Sequence, residues 1–204
     1  MILVISLVLS ACQPKVMPAP ALPTPDTQPL NLQSTPISTI TIPTQDCTDA
    51  TGEVLDLQIP TEQASKNLAV KVYLPPCYAA QPSTRYPVLY LLHGQDADSS
   101  QWIDLGISRA ADALIATDLI SPLIIVLPWE QNPLRPPQDS SYGTEIIQTI
   151  IPFIDGHYAV CTLRACRAIG GLSRGGNWAV ALGFTYPELF TAVGAHSTPL
   201  FYGQ

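Results

Sequence analysis

Ala168-Ile169-Gly170-Gly171-Leu172-Ser173-Arg174-Gly175-Gly176 is the stretch on which the reading of this chain turns. An apolar strand runs into Gly-x-Ser-x-Gly, and a helix-forming stretch, residues 177–182, follows. That context marks a nucleophile elbow, a strand-to-helix turn so tight that its serine must adopt a strained backbone conformation. Gly171 and Gly175 flank Ser173 because side chains there would collide with crossing backbone. Such a turn exposes the Ser173 hydroxyl at the end of a sheet, beside a helix N-terminus. A serine so placed is a candidate nucleophile for acyl chemistry. The bland alternative is an ordinary Gly-rich strand–helix turn, but strand, elbow and helix all agree against it.

Upstream, the apolar pattern predicts the rest of the sheet. Glu53–Ile59 alternates, with Leu55, Leu57 and Ile59 on one face, and Leu68–Leu74 alternates likewise. Two such strands close together suggest an antiparallel pair at a sheet edge. Val88-Leu89-Tyr90-Leu91-Leu92 and Leu123-Ile124-Ile125-Val126-Leu127 are instead continuous apolar runs, as expected of parallel strands buried on both faces. Between them, Ile107, Ala110, Ala111, Leu114 and Ile115 form one stripe of a helix. A second helix carries Ile146, Ile147, Ile150, Ile151 and Ile154; Pro152 should kink or restart it, and Gly156 suits its C-terminus. After the elbow helix, Ala192-Val193-Gly194-Ala195 reads as a further strand. The sum is an α/β fold: a mostly parallel, doubly wound sheet with an antiparallel N-terminal edge.

The first 45 residues are different in kind. Residues 2–9 form an apolar run too short to span a bilayer, ending in Leu9-Ser10-Ala11-Cys12. This resembles a lipoprotein signal (1–12) whose cysteine is lipidated, although no Lys or Arg precedes the apolar run. Two or more acyl chains, at about 0.8 kcal/mol per buried CH₂, would make a stable anchor. Residues 13–45 are rich in Pro, Thr, Ser and Gln, with Lys15 and Asp26 their only charges. They read as a tether off a membrane, reaching roughly 100 Å if about 33 residues extend at 3.1 Å each. The folded part is then residues 46–204, enough for one core.

Formal net charge is −7 and the few Lys and Arg do not cluster, which argues against nucleic acid as a partner. Of the five cysteines, Cys12 is assigned to the lipid. An even set of four in an exported protein suggests disulfides. Proximity favours Cys161 with Cys166, leaving Cys47 with Cys77 to pin the first two strands; buried free thiols are the alternative. With no Cys-x-x-Cys and scattered histidines, no metal or other cofactor is expected.

Tyr86-Pro87-Val88-Leu89-Tyr90-Leu91-Leu92-His93-Gly94, then Trp102, then Gly170 to Gly176, then Pro187-Glu188-Leu189-Phe190, resembles one esterase family of the α/β-hydrolases. That group holds esterase D, feruloyl esterases, enterochelin-type esterases and trehalose mycolyltransferases. The resemblance implies an α/β-hydrolase fold and a Ser-Asp/Glu-His esterase, and covers roughly residue 52 onward. It implies two backbone oxyanion donors, Arg174 just after the nucleophile and Gln95 after the His-Gly pair. It also implies an acid and a histidine following later strands. Glu188 and His196 arrive too soon for those roles, so the C-terminal part of the fold is expected to be missing and the chain as given to be inactive.

The remaining candidates have plain readings. His93 shapes the oxyanion loop, and His157 lies at the opposite edge of the sheet. His196 ends on the catalytic edge and is expected to line a pocket, with service as a makeshift base the alternative. Trp102 and Trp129 follow buried strands and are candidates for a substrate pocket or for the rim of the core. Arg174 is expected to form a structural salt bridge; Asp96 and Asp98 are expected to be solvated. The expected substrate is a small-molecule or carbohydrate ester, met at the bacterial cell envelope. Acyl transfer to a sugar on the same site, or a non-catalytic surface protein keeping the fold, are the alternatives.

Overall fold

A computed structural model describes residues 47–61 and 66–198. The expected lipoprotein signal with Cys12 and the expected tether lie outside the described residues. Among the described residues six strands form one sheet: β1 (Glu53–Ile59), β2 (Leu68–Leu74), β3 (Val88–Leu92), β4 (Ile124–Pro128), β5 (Arg167–Leu172) and β6 (Ala192–His196). Their spatial order is β1-β2-β4-β3-β5-β6. The β1–β2 and β2–β4 pairs are antiparallel, and the pairs β4–β3, β3–β5 and β5–β6 are parallel. The expected edge hairpin and parallel centre are both present, with β4 one residue later than the apolar run implies.

The continuous apolar strands are explained by cover on two faces. On β3, Val88, Tyr90 and Leu92 face a large cluster that includes Ile146, Ile150, Ile154 and Trp178. Leu91 faces a smaller cluster with Ile125, Leu127 and Ala111, and Trp102, Ile103 and Ile107 pack against it. Helices α1 (Gln101–Asp104) and α2 (Ile107–Ala116) therefore cover one face. The other is covered by α3 (Tyr142–Glu145), α4 (Ile151–His157) and α5 (Arg174–Thr185). Asp112 ties α2 to the hairpin edge, accepting hydrogen bonds from Tyr73 Oη at 2.7 Å and the Gly52 N–H at 2.8 Å.

The Ile-rich helix restarts at its proline, as expected: residues 146–150 make a π-helical turn after α3, and α4 begins at Ile151 with Pro152 in its first turn. Proline offers no N–H, so the ordinary ladder cannot pass through it, and the turn ahead of it is widened. Gly156 falls inside the last turn, and the chain leaves at Tyr158 in an extended conformation. The elbow helix is longer than its apolar pattern, beginning immediately after Ser173 and ending at Thr185. Glu188 consequently lies in the turn beyond it, exposed.

Both expected disulfides are present, Cys47–Cys77 closing 30 residues and Cys161–Cys166 closing 5. The longer loop is worth about 3–4 kcal/mol by chain entropy, the shorter about 2. Among the described residues no helix is long and apolar enough to cross a membrane.

Candidate active site

Strand β5 ends at Leu172, α5 begins at Arg174, and Ser173 makes the whole turn between them. Its φ is 53° and its ψ −115°, a conformation that costs a non-glycine residue about 1–3 kcal/mol. The glycines show why nothing larger fits. A Cβ on Gly171 would lie 2.2 Å from the carbonyl carbon and oxygen of Gly175. One on Gly175 would lie 2.3 Å from Leu92 O and 2.5 Å from His93 O. The turn is locked from the far side as well, since the Ser173 N–H donates to His196 O at 2.8 Å.

The second element is the loop after β3. Strands β3 and β5 are parallel neighbours, with Leu92 opposite Gly171, so this loop and the elbow open at the same edge. Gly94 is held through its N–H, which donates to Gln101 Oε1 at 2.8 Å. Gln95 follows, exposed. Arg174, as the first residue of α5, has an N–H that no preceding helical turn can engage. It also sits at the positive end of the helix dipole.

His93 has no freedom for proton transfer. It is buried; its Nδ1 donates to Gly94 O at 2.7 Å, and its Nε2 accepts from the Glu130 N–H at 2.8 Å. These two partners fix the tautomer. Burial, the largest influence, pushes its pKa down, so the ring stays neutral. The expected loop-shaping role is the one its contacts describe.

Glu130 is the feature that no sequence pattern revealed. It follows β4 by two residues and is almost completely buried. Its Oε2 accepts from Arg174 Nε at 2.7 Å and Trp178 Nε1 at 3.2 Å. Its Oε1 accepts from Arg174 Nη2 at 2.6 Å and Ser140 Oγ at 3.1 Å. The expected Arg174 salt bridge thus has its partner, and Nη2 also donates to Arg135 O at 2.8 Å. A lone acid directly after an all-apolar strand was the only available signal.

The other candidates separate. Trp102 donates from Nε1 to Leu92 O at 3.1 Å and lines an apolar hollow of about 460 Å³ over β3, β5 and β6, shared with His196. Trp129 lies instead on an exposed cleft of about 640 Å³ with Gln95, Asp96, Asp98 and Gln101. Asp96 is exposed as expected. Asp98 is exposed too, but its carboxylate accepts the Ser100 N–H at 2.7 Å and so shapes the approach to α1. His157 is exposed and stacked on Phe153, with its Nδ1 2.8 Å from Phe153 O. It ends α4, ahead of the start of β5, and so lies away from the elbow. His196 is exposed, its Nδ1 3.0 Å from Ser197 Oγ.

A family profile described as "Putative esterase" matches residues 61–204. An esterase of Mycobacterium tuberculosis is 32% identical over 142 residues, covering 65% of this chain and 29% of its own length. An endo-1,4-beta-xylanase/feruloyl esterase of Xylanibacter ruminicola is 30% identical over 149 residues, 68% of this chain and 20% of its own length. The chain therefore spans less than a third of the length of either relative. Among solved structures, a ferulic acid esterase superposes with a TM-score of 0.68 at 29% identity, covering 74% of this chain and 59% of that one.

Proposed function

This chain belongs to the esterase family of the α/β-hydrolases, and we propose that it hydrolyses carboxylic esters through an acyl-enzyme on Ser173. The observation that carries the proposal is the strained Ser173 at the head of α5, framed by two glycines whose side-chain space is filled by backbone. In the reaction Ser173 Oγ adds to the ester carbonyl and passes its proton to a general base. The tetrahedral oxyanion collapses, the C–O bond to the alcohol breaks, and the alcohol leaves with that proton. Water then adds to the acyl carbon, and the acid departs as Ser173 regains its hydrogen. The oxyanion is held by the backbone N–H groups of Arg174 and Gln95; losing one such donor costs about 2.7–4 kcal/mol of transition-state stabilisation.

None of the described histidines is assigned as the base. Both ring nitrogens of His93 are engaged, His157 lies away from the elbow, and no described histidine is hydrogen-bonded to Ser173 Oγ. The substrate class that fits is a small-molecule or carbohydrate ester, a reading in keeping with the relative from Xylanibacter ruminicola, which is named an endo-1,4-beta-xylanase/feruloyl esterase. Cys12 is further proposed as a lipid anchor outside the cytoplasm, on the apolar run and the tether that follow one another in the sequence.

A fluorophosphonate probe tests the nucleophile. The full-length protein is expected to be labelled at Ser173 and Ser173→Ala to lose all labelling; labelling that survives the substitution refutes the assignment. For the anchor, Cys12→Ser should release the protein from the membrane fraction of a bacterial host. Unchanged fractionation with no lipid mass on Cys12 would overturn it.

A further inference from the structure

We propose that Glu130 is the positioning residue of the oxyanion hole, one buried residue whose two ends fix both backbone donors beside Ser173. The proposal rests on the assignment of Arg174 and Gln95 as those donors.

The carboxylate end acts on Arg174. Four donors from three residues saturate its two oxygens, two on each. The guanidinium meets it side-on, Nε to one oxygen and Nη2 to the other, which is the geometry a planar fork recognises best. Turning the Ser173–Arg174 peptide would drag the fork out of both bonds and Nη2 away from Arg135 O. The Arg174 N–H is thereby held in direction as well as in place.

The backbone end acts on Gln95 through His93. The Glu130 N–H donates to His93 Nε2, and His93 Nδ1 donates to Gly94 O. That carbonyl and the Gln95 N–H belong to one peptide unit. The unit is planar, so fixing where the C=O points fixes where the N–H points, in the opposite direction. Two donors far apart in sequence thus take their orientation from one residue.

Stability alone is a weak reason for such a device. A buried ion pair is often no better than well-packed apolar residues of the same volume. Its distinctive property is directional, and its two ends act on two loops that open at one sheet edge, beside the elbow.

The test is Glu130→Gln in the full-length protein, with Asp155→Asn as the control at the other end of β5. Glu130→Gln is expected to slow fluorophosphonate labelling of Ser173 by about 10-fold or more, short of the 10²–10³ lost with a whole donor. The backbone amide signal of Arg174 should shift in the ¹H–¹⁵N spectrum. Steady-state kinetics should show the loss in kcat with KM little changed, because the oxyanion exists only on the way to the transition state. Asp155→Asn should lower the melting temperature and leave labelling and the Arg174 amide as they are. If Glu130→Gln lowers only the melting temperature, with labelling and that amide unchanged, the residue is merely structural and the proposal fails. Should Glu130→Gln not fold, Arg174→Lys carries the same readouts, since it keeps the charge and loses the fork. If the wild-type protein is not labelled at all, the Ser173 assignment falls, and an unshifted Arg174 amide would still overturn the clamp by itself.

Discussion

Strand β5 is held at each end by an arginine and a carboxylate, and the two attachments are inverted. At the base, Arg167 is the buried partner, its side chain 3% exposed, while Asp155 of α4 is 24% exposed. At the elbow the acid is the buried partner, Glu130 at 3% against 11% for Arg174. At the base a single nitrogen, Nη2, reaches both Asp155 oxygens, at 3.0 and 2.7 Å. At the elbow two nitrogens take one oxygen each. The first arrangement fastens a helix to a strand and lets water solvate the acid. The second surrounds the acid with donors and holds the backbone of the residue next to Ser173. Similar chemistry therefore serves packing at one end of a strand and orientation at the other.

The most severe way to break the contrast is Gly171→Ala. Its Cβ would fall within 2.2 Å of the Gly175 backbone, and neither side can yield without opening the turn. A loss of about 3 kcal/mol or more in unfolding free energy is expected, as for gross overpacking. Ser173 labelling should fall at least ~100-fold in whatever protein folds, the scale of a lost oxyanion donor. Denaturant titration and probe labelling measure the two effects. A variant that labels normally would show that the elbow tolerates a side chain and that the strain is incidental.

A milder break at the base sharpens the difference. Arg167→Leu removes the buried partner and leaves Asp155, which water already reaches. Breaking a fully buried pair typically costs about 3–5 kcal/mol. With the orphaned acid partly solvated, about 2 kcal/mol is expected here, read as a lower denaturation midpoint at constant slope. Labelling of Ser173 per folded molecule should stay within about twofold of wild type. A larger fall would mean that the base attachment also aims the elbow, and the two ends would no longer be distinct in kind.

What could be read from the sequence divides along the same line. The elbow is five consecutive residues, and its glycines are required by contacts within the motif and with the neighbouring strand. The hairpin alternation and the double-sided strands β3 and β4 are likewise local, because which faces are covered is written in the period of the apolar residues. Cys161 and Cys166 pair across 5 positions, and Cys47 with Cys77 by what remains. Glu130 was invisible for the opposite reason. Two of its partners, Arg174 and His93, stand 44 and 37 positions away, and pairing at that distance depends on strand order. The same holds for Asp112 with Tyr73, 39 positions apart. The π-helical turn was hidden because Pro152 announces an interrupted ladder without saying how it is accommodated. Trp102 and Trp129 look alike in sequence, each following a buried strand, yet one donates to a core carbonyl and the other stands on an open cleft.

The smallest expected effect is one of pH, and it should appear at the elbow end only. His93 is buried, and burial pushes its pKa below the ordinary histidine value; the bond to the Gly94 carbonyl and the carboxylates of Glu130 and Asp98 pull the other way, and Arg174 adds to the lowering. An unfolded chain takes up a proton on this ring near pH 6.5, while the folded one resists. The sign follows from linkage: the unfolded state binds more protons in that window, so stability is fully present above about pH 6.5 and declines as pH falls below it. Protonation would also set a second N–H on Nε2 against the Glu130 N–H, where an acceptor is needed. His93→Gln is expected to lower stability at pH 7.5, because the bond to Gly94 O is lost. It should also flatten the decline between pH 6.5 and 5.5 relative to wild type, with Arg167→Leu keeping the wild-type slope. Denaturant midpoints for the three proteins at those pH values decide it. If the wild-type decline persists unchanged in His93→Gln, the acid sensitivity belongs to other groups, and the loop after β3 is not held by a neutral imidazole.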